Sequence, residues 1–233
     1  MELRFLSCQG GRQYNEDRVW GSVRDDWFCG AVADGLGGHG GGDVAAETAI
    51  QTLSHSLEPD TTGICRLQEA VCLANANILK AQSASCRMCT TLALVLGKGT
   101  EAIAAHVGDS RIYHFRDAQI LYQSMDHSAS QIAVALGEIS LEEIRGHDDR
   151  SILLRALGGA EQVTAECKAL EVQPGDRLLL CTDGFWEGIT EDQMEQTCAA
   201  CPALEQWLES MATLVMHCET RDEDNYTALV IQI

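Results

Sequence analysis

Four aspartates stand beside turn-forming residues at widely separated points, and three of them adjoin apolar runs that are typical of strands. They are Asp17 after Asn15-Glu16, Asp34 before Gly35, Asp183 before Gly184, and Asp224 before Asn225. Strand ends bring carboxylates from distant parts of a sequence to one rim of a sheet. Clustered carboxylates repel one another unless a cation lies between them, and all-oxygen sites suit Mg²⁺ and Mn²⁺. The pattern predicts a metal-dependent enzyme.

The segment 35–42 reads Gly-Leu-Gly-Gly-His-Gly-Gly-Gly. Glycine lets a backbone approach an ion or anion where any Cβ would collide. The segment lacks the Gly-Lys-Ser/Thr ending of a phosphate-binding P-loop and the strand-to-helix context of a dinucleotide fingerprint. A flexible turn is one interpretation. A Gly35 carbonyl facing a metal beside Asp34 is the other, and it also explains why side chains are excluded.

Two further polar islands have simple structural explanations when taken alone. In Gly108-Asp109-Ser110-Arg111, a tight turn closed by an Asp109–Arg111 salt bridge is one interpretation. The island 126–128, Asp-His-Ser, is also explained as the N-cap of a helix, because Asp and Ser both favour that position. Neither island identifies a function by itself.

Hydrophobic periodicity predicts an order of elements that positions these islands. Strands are predicted at 1–8, 19–23, 27–33, 90–96, 102–107, 112–115, 119–122, 163–172, 177–181 and 226–233, and helices around 44–57, 64–81, 130–150, 191–199 and 203–217. The turn Pro174-Gly175-Asp176 predicts that 163–172 and 177–181 form a hairpin. Adjacent hairpins and paired helices favour α+β architecture with helix-covered antiparallel sheets over a βαβ fold.

The chain of 233 residues carries 35 acidic and 16 basic residues, a net charge of −19. Nucleic-acid phosphates would be repelled by this charge, so we expect no nucleic-acid partner. No repeat or linker divides the sequence, and we expect one domain over 1–233. No run approaches 18 apolar residues and the first ten residues lack a signal-peptide pattern, so we expect no membrane association.

Eleven cysteines without a secretory signal favour reduced thiols in a cytoplasmic protein. The pairs Cys86-x-x-Cys89 and Cys198-x-x-Cys201 have the spacing of zinc ligands. Their predicted places, at the start of a strand and at a helix end, favour a packing role instead. A structural zinc remains the alternative.

Taken together, the islands resemble the metal-dependent serine/threonine protein phosphatases of the phosphatase 2C class, in the compact bacterial form. The motifs in chain order are Arg12-x-x-Asn15-Glu16-Asp17, Asp34-Gly35-Leu36-Gly37-Gly38-His39, Thr90-Thr91, Gly108-Asp109-Ser110-Arg111, Asp126-His127-Ser128, Leu157-Gly158-Gly159, Thr182-Asp183-Gly184 and Asp224-Asn225-x-Thr227. Each motif is weak alone, whereas eight in one order with matching gaps are specific. The resemblance covers the whole chain and implies two antiparallel sheets forming a central sandwich flanked by pairs of helices.

The resemblance also implies roles for most of the aspartates. Asp34 bridges two Mn²⁺ or Mg²⁺ ions, and Asp183 and Asp224 complete the shell of one of them. The Gly35 carbonyl serves the other ion. Asp109 corresponds, with Asp183, to a third and weaker metal position of bacterial members.

Further positions follow from the same resemblance. Glu16 and Asp17 support the ions largely through water, and Arg12 grips the substrate phosphate, for which a planar guanidinium is well shaped. The region 130–150 corresponds to a flap beside the active site. Eukaryotic members place a histidine directly after the Asp-Gly pair as the proposed acid for the leaving alcohol, whereas this chain has Leu36. His39 lies three residues later, and we interpret it as ordering the glycine loop.

The function implied is hydrolysis of phosphoserine and phosphothreonine in proteins by a water activated at a binuclear centre, without a phospho-enzyme. Phosphorylated proteins are then the substrates, opposite a serine/threonine kinase, and we expect a monomer. Two alternatives stay open. One is a catalytically silent metal-binding adaptor, which is disfavoured because Asp34, Asp183 and Asp224 are all present. The other is a hydrolase of small phosphoesters.

Overall fold

The computed structural model describes residues 1–37, 41–59, 63–83, 86–218 and 224–233. Its strands are β1 (Glu2–Cys8), β2 (Arg18–Arg24), β3 (Trp27–Ala33), β4 (Gly35–Leu36), β5 (Cys89–Thr90), β6 (Leu92–Lys98), β7 (Glu101–Val107), β8 (Arg111–Arg116), β9 (Gln119–Gln123), β10 (Glu166–Glu171), β11 (Arg177–Cys181) and β12 (Tyr226–Gln232). Its α-helices are α1 (Gly42–Ser56), α2 (Ile64–Ala81), α3 (Ala129–Ala135), α4 (Asp183–Trp186), α5 (Glu191–Ala200) and α6 (Leu204–Met216), with a 3-10 helix at Glu142–Gly146.

The strands form two five-stranded sheets in which every pairing is antiparallel. The first sheet has the order β1-β12-β11-β8-β9, and the second has the order β10-β7-β6-β3-β2. A short ladder between β4 and β5 joins Gly35 to Thr90. The predicted class, two antiparallel sheets between helices, is confirmed.

Side chains of β3 alternate between two cores, as the period of a strand requires. Phe28 and Val32 lie between the two sheets, in a buried cluster that includes Leu229 of β12. Cys29 and Ala31 lie on the opposite face, in the cluster formed with α1 and α2. Because β3 is buried on both faces, it reads as a continuous apolar run rather than an alternating one.

Each sheet is covered on its outer face by helices. Ala49 of α1 and Leu67 of α2 share a buried cluster with the second sheet. On the first sheet, Trp207 of α6 packs edge-on against Phe115, with ring centroids 5.1 Å apart. The chain therefore forms four layers, with the two sheets in the middle.

The predicted hairpin between 163–172 and 177–181 is wrong. Strand β10 pairs with β7 in the second sheet, whereas β11 pairs with β12 and β8 in the first. The intervening turn, with Gly175 at φ 97°, carries the chain from one sheet to the other. Turn chemistry specifies a reversal of direction but does not specify which sheet receives the next strand.

The prediction of helix through 130–150 is only partly correct. Helix α3 begins after Ser128, whose hydroxyl caps it by accepting the Gln131 N–H at 3.3 Å, so the N-cap interpretation of that island is confirmed. The helix ends at Ala135, and Gly137 adopts φ 74° two residues later. The remainder of the segment contains only the short 3-10 helix.

All eleven cysteines are free thiols. Within the described ranges, no helix combines the length and the apolar character needed to cross a membrane.

Candidate metal centre and active site

The predicted aspartates collect at one rim of the sandwich because each stands at a strand end. Asp34 directly follows β3 of the second sheet, Asp183 follows β11 of the first sheet, and Asp224 precedes β12. A cavity of about 760 Å³ opens at this rim. It is lined by Arg12, Gln13, Tyr14, Glu16, Asp34, Gly35, Leu36, Gly37, Asp109, Ser151, Leu153, Asp183, Asp224 and Asn225.

Seven of the eight residues predicted for the site line this cavity, and Asp17 is the exception. Asp17 lies beneath the rim and is only 3% exposed. The predicted flap, 130–150, contributes no lining residue, although the structure describes all of it. Ser151 and Leu153, immediately beyond its predicted end, reach the cavity instead.

The backbone of Asp34 is held by Thr90, the last residue of β5, and by Thr91, which follows it. Its N–H donates to Thr91 Oγ1 at 3.0 Å, and its carbonyl accepts from Thr90 Oγ1 at 2.8 Å and from the Thr91 N–H at 2.9 Å. The sequence singled out Thr90-Thr91 as a motif without giving it a role. The structure supplies one, since these bonds fix the direction in which the Asp34 carboxylate leaves the strand.

Asn225 joins the two ends of the chain at the site. Its Oδ1 accepts the Glu16 N–H at 2.8 Å, and its Nδ2 donates to the carbonyls of Gln9 at 2.7 Å and Tyr14 at 2.9 Å. These bonds place the loop that carries Arg12 beside the segment that carries Asp224. Sequence reasoning quoted Asn225 only as part of a motif, and no local pattern shows which carbonyls it would bind.

Arg12 is the cationic side chain that lines the cavity. Its Nη2 donates to Asp224 Oδ2 at 2.6 Å, and this hydrogen bond is the main cause of a raised Arg12 pKa. The Arg12 side chain is 57% exposed. Much of the guanidinium therefore faces solvent, where a phosphate can reach it.

Asp17 is buried without enough hydrogen bonds to satisfy it. Its Oδ2 accepts from Thr182 Oγ1 at 2.9 Å, whereas its Oδ1 has no partner. Burial is the largest cause that raises the pKa of Asp17 to about 7, and the charges of Asp183 and Asp224 add to it.

The pKa values of other carboxylates at the rim are raised in the same way. Burial, followed by the charge of Asp183, raises the pKa of Asp34 well above its usual range. Burial and then the charge of Asp224 raise the pKa of Asp183 to about 6. Burial, followed by the charge of Asp183, raises the pKa of Asp109 well above its usual range. Each carboxylate is disfavoured in its charged form unless a cation joins the group.

These residues fit a divalent cation site. The buried oxygens Asp17 Oδ1 and Asp109 Oδ1 lack any partner, and a buried unpaired oxygen is costly. The donors are all oxygens, which hard cations such as Mn²⁺ and Mg²⁺ prefer. The Gly35 backbone also packs closely against the Gly42 backbone. A Cβ on Gly35 would overlap the Gly42 carbonyl, so only glycine fits at position 35.

The alternative of an Asp109–Arg111 salt bridge is wrong. Arg111 instead makes two parallel bonds to Asp126, from Nε to Oδ1 at 2.8 Å and from Nη2 to Oδ2 at 2.7 Å. Both side chains of this pair are almost fully buried. Asp109 is thus left without an ion-pair partner among the described residues. Sequence reasoning missed this role of Asp126, because a pairing across fifteen residues has no local pattern.

A second cluster, formed by His106, His127 and Glu166, places three potential ligand atoms within 4.8 Å of one another. The two imidazoles stack at 4.6 Å. His106 Nε2 lies 2.7 Å from the Met125 carbonyl, and His127 Nδ1 accepts the Gly108 N–H at 3.2 Å. The His127 proton then lies on Nε2, towards Glu166, so this nitrogen has no free lone pair. The cluster is better described as a hydrogen-bonded pair than as a metal site.

His39 lies outside the described residues, so the prediction that it orders the glycine loop remains a prediction. The Cys-x-x-Cys pairs contribute to no group of three potential metal ligands in the described part of the chain.

Comparisons with known proteins agree with the fold. The model of the protein phosphatase 2C family matches residues 7–223. The serine/threonine phosphatase stp of Listeria monocytogenes is 31% identical over 245 residues, covering 100% of this chain and 96% of that protein. The catalytic domain of the serine/threonine protein phosphatase PstP, solved in complex with two manganese ions, superposes with a TM-score of 0.86 at 29% identity, covering 98% of this chain and 96% of that one. The chain therefore belongs to the protein phosphatase 2C family.

Full-length PstP of Mycobacterium tuberculosis is 35% identical over 187 residues, which cover 78% of this chain and 35% of that protein. The matched part of the chain thus spans about a third of the length of that curated relative.

Proposed function

We propose that this chain is a metal-dependent protein phosphatase that hydrolyses phosphoserine and phosphothreonine. The observation that carries the proposal is the group of carboxylates around one cavity, with partnerless buried oxygens and a partly exposed guanidinium beside them. The names of the related proteins, serine/threonine phosphatases, support the same activity.

In this proposal, Asp34, Asp183, Asp224 and the Gly35 carbonyl would hold two Mn²⁺ or Mg²⁺ ions. Asp109, with Asp183, would hold a third, weaker ion. When bound, such cations neutralise phosphate oxygens and make a water acidic enough to act as the nucleophile near neutral pH. Hydrolysis would be direct, without a phospho-enzyme: the described lining residues include no cysteine or histidine, and the lining aspartates would be occupied as ligands of the cations.

The remaining residues of the site would position water around the ions and the substrate phosphate. Glu16 and Asp17 accept hydrogen bonds from water around the ions, and the free Oδ1 of Asp17 supports this role. Arg12 would bind the phosphate: its Nη2 is engaged by Asp224, and its side chain is 57% exposed at the cavity. A guanidinium gives two parallel bonds to a phosphate, which orients the ester as well as holding it.

We extend the proposal to the setting of the reaction. Residues 1–233 act as one catalytic domain and as a monomer, with the segment around 130–150 as a flap. A protein kinase that phosphorylates serine and threonine supplies the substrates, since no other class of reaction makes them. The eleven free thiols favour a reducing, cytoplasmic setting.

The test is turnover of a phosphothreonine peptide by the purified protein, first with chelator and then with Mn²⁺ restored. We expect no activity with chelator and full recovery with Mn²⁺. Higher kcat/KM on small metabolite phosphates than on the peptide would favour a small-molecule hydrolase instead. Tight Mn²⁺ binding without turnover of either substrate would favour a silent adaptor.

A further inference from the structure

The loop that presents Asp109 is fixed on both sides, whereas the Asp109 carboxylate is not. Gly108 donates its N–H to His127 Nδ1 at 3.2 Å, and its carbonyl accepts the His127 N–H at 2.9 Å. Ser110 is joined to Thr91 by a hydroxyl pair at 2.6 Å. Between these anchors, Asp109 Oδ1 is buried without a partner.

One side chain connects this loop directly to the element that carries Asp183. Trp186 closes helix α4, which begins at Asp183. The Trp186 indole Nε1 donates to the Asp109 carbonyl at 2.9 Å, and the ring is 1% exposed. Asp183 and Asp109 belong to chain segments far apart in sequence, and this indole bond joins the backbone of one to the helix of the other.

Cationic groups fix the orientation of the indole. The guanidinium carbon of Arg111 lies 3.4 Å from the centroid of the Trp186 ring, and Arg111 is itself held by its paired bonds to Asp126. Arg145 binds the Trp186 carbonyl at 3.2 Å and also reaches Glu191 at 2.8 Å. A ring fixed in this way directs its N–H along one line only.

We propose that Trp186 is a positioning residue that sets the spacing between the carboxylates of Asp109 and Asp183 through its indole N–H. It thereby determines the affinity of the third, weaker ion that these two carboxylates share, called the outer ion below. The inference rests on the proposed metal site. It assigns to Trp186 a function that is separate from filling the core.

Trp207 provides a matched control for the packing role. It is also fully buried, its indole Nε1 donates to a backbone carbonyl, that of Met194 at 3.4 Å, and a guanidinium, that of Arg177, lies 5.3 Å from its ring. Its hydrogen bond to Met194 and its ring contacts with Arg177 and Phe115 all involve residues outside the cavity lining. A Trp-to-Phe change at either position removes an indole N–H from a buried aromatic under a cation, but only the change at 186 releases Asp109.

The experiment is calorimetric titration of the metal-free protein with Mn²⁺, which counts ions and gives the affinity of each class without any turnover. Trp186→Phe should keep two tight ions and bind the outer ion about three- to tenfold more weakly, the loss that one neutral hydrogen bond implies. The Mn²⁺ concentration for half-maximal activity on a phosphopeptide should rise by the same factor, and excess Mn²⁺ should restore kcat. Trp207→Phe should leave both quantities at the wild-type value.

A double variant tests the connection itself. In an Asp109→Ala background, where the outer ligand is gone, Trp186→Phe should have no additional effect on Mn²⁺ binding, because both changes act on one site. If Trp186→Phe fails to fold, benzothienylalanine at position 186 keeps the shape of the ring and removes only the N–H.

Unchanged outer-ion affinity in a folded variant without the N–H would overturn the inference, as would equal weakening in Trp207→Phe. A wild-type protein that binds only two ions would overturn it as well, while leaving the binuclear proposal intact. A wild-type protein that binds no tight ion would instead remove the proposed function.

Discussion

Two buried carboxylates near opposite ends of strand β11 differ in the number of hydrogen bonds that they accept. At the start of the strand, Asp176 is 1% exposed and accepts from Arg116 at 2.9 and 2.8 Å and from His114 at 2.8 Å. Beyond the other end, Asp17 is 3% exposed, accepts one bond from Thr182 at 2.9 Å, and leaves its second oxygen empty. Both residues are almost fully shielded from solvent, but their hydrogen-bond partners and the charges near them differ.

The pKa values follow that difference. Burial alone would raise the pKa of Asp176, but the bonds from Arg116 and His114 overcome it and lower the pKa. Burial raises the pKa of Asp17 to about 7, because its hydrogen bonds are too few to compensate and the charges of Asp183 and Asp224 raise it further. The chain is thus able to satisfy a buried carboxylate from its own side chains. Where it does not, the missing partner is a ligand rather than a residue.

The largest effect is expected from neutralising one of the carboxylates that line the cavity. Asp34→Asn should lower kcat/KM by about a thousandfold or more, since a shared ligand of both cations is worth several kcal/mol. In the metal-free protein it should also raise stability by about 1–3 kcal/mol, because it removes repulsion. Peptide turnover and urea unfolding with chelator measure the two effects. A folded variant with substantial Mn²⁺-dependent activity would contradict the binuclear assignment.

The corresponding change at Asp176, whose carboxylate has a full set of partners, should lower stability and leave activity nearly unchanged. Asp176→Asn should lower the free energy of unfolding by about 2–4 kcal/mol, because Arg116 and His114 lose a buried partner. The kcat/KM of the folded fraction should stay near wild type, since Asp176 does not line the cavity. Urea unfolding and peptide kinetics at low temperature test both points. If Asp176→Asn were neutral for stability, full pairing would not be what distinguishes Asp176 from Asp17.

The pH dependence of stability gives an independent test of the raised pKa values of Asp17 and Asp183. The pKa values of Asp17, about 7, and Asp183, about 6, lie above their ordinary value, so the folded state binds more protons than the unfolded state between about pH 4 and pH 7. The metal-free protein should therefore lose stability as pH rises through this window. Thermal unfolding with chelator at about pH 5.5 and about pH 8 measures the loss.

The matched control for this pH dependence is Asp17→Asn, which should flatten it. Saturating Mn²⁺ should oppose it, because cations bind the deprotonated carboxylates. A metal-free wild type with higher stability at the upper pH would contradict the raised pKa values.

How much of this arrangement was predictable from sequence depends on whether its cause is local. The glycine and aspartate at strand ends, as at Asp34-Gly35, are local patterns, and they located the cavity residues correctly. The partner of a carboxylate is not local: Asp126 is fifteen residues from Arg111, and Asp109 lost its expected partner because Asp126 offered two parallel acceptors. The same limit explains why the turn at Gly175 was taken for a hairpin.

A smaller effect is expected from Arg12, the cationic side chain among the described residues that line the cavity. Arg12→Ala should raise KM for a phosphopeptide about tenfold and leave kcat within about threefold, because a guanidinium that holds ground state and transition state alike is uniform binding. Arg12→Lys is the control, since it keeps the charge and loses the two-pronged geometry. A collapse of kcat with KM unchanged would assign Arg12 another role.

The smallest effect should come from Asp109, the proposed ligand of the third, weaker ion. Asp109→Ala should leave two tightly bound Mn²⁺ ions and lower activity towards phosphoproteins roughly fivefold, the share of one weak outer ion. Calorimetry and kinetics on the same preparation decide the matter. Full activity with an unchanged ion count would show that Asp109 is an ordinary turn residue, and that the carboxylates lining the cavity include fewer functional groups than their repulsion suggests.

The site joins parts of the chain that are made at very different times. Arg12 and Asp224, which are bonded at the rim, are 212 residues apart in sequence. Strand β12, which follows Asp224, lies inside the first sheet between β1 and β11. A nascent chain on the ribosome cannot close that sheet or complete the metal site until β12 has left the exit tunnel. Catalytic competence should therefore arise only after the segment through Gln232 has emerged, so ribosome-bound chains stalled before that point are expected to be inactive.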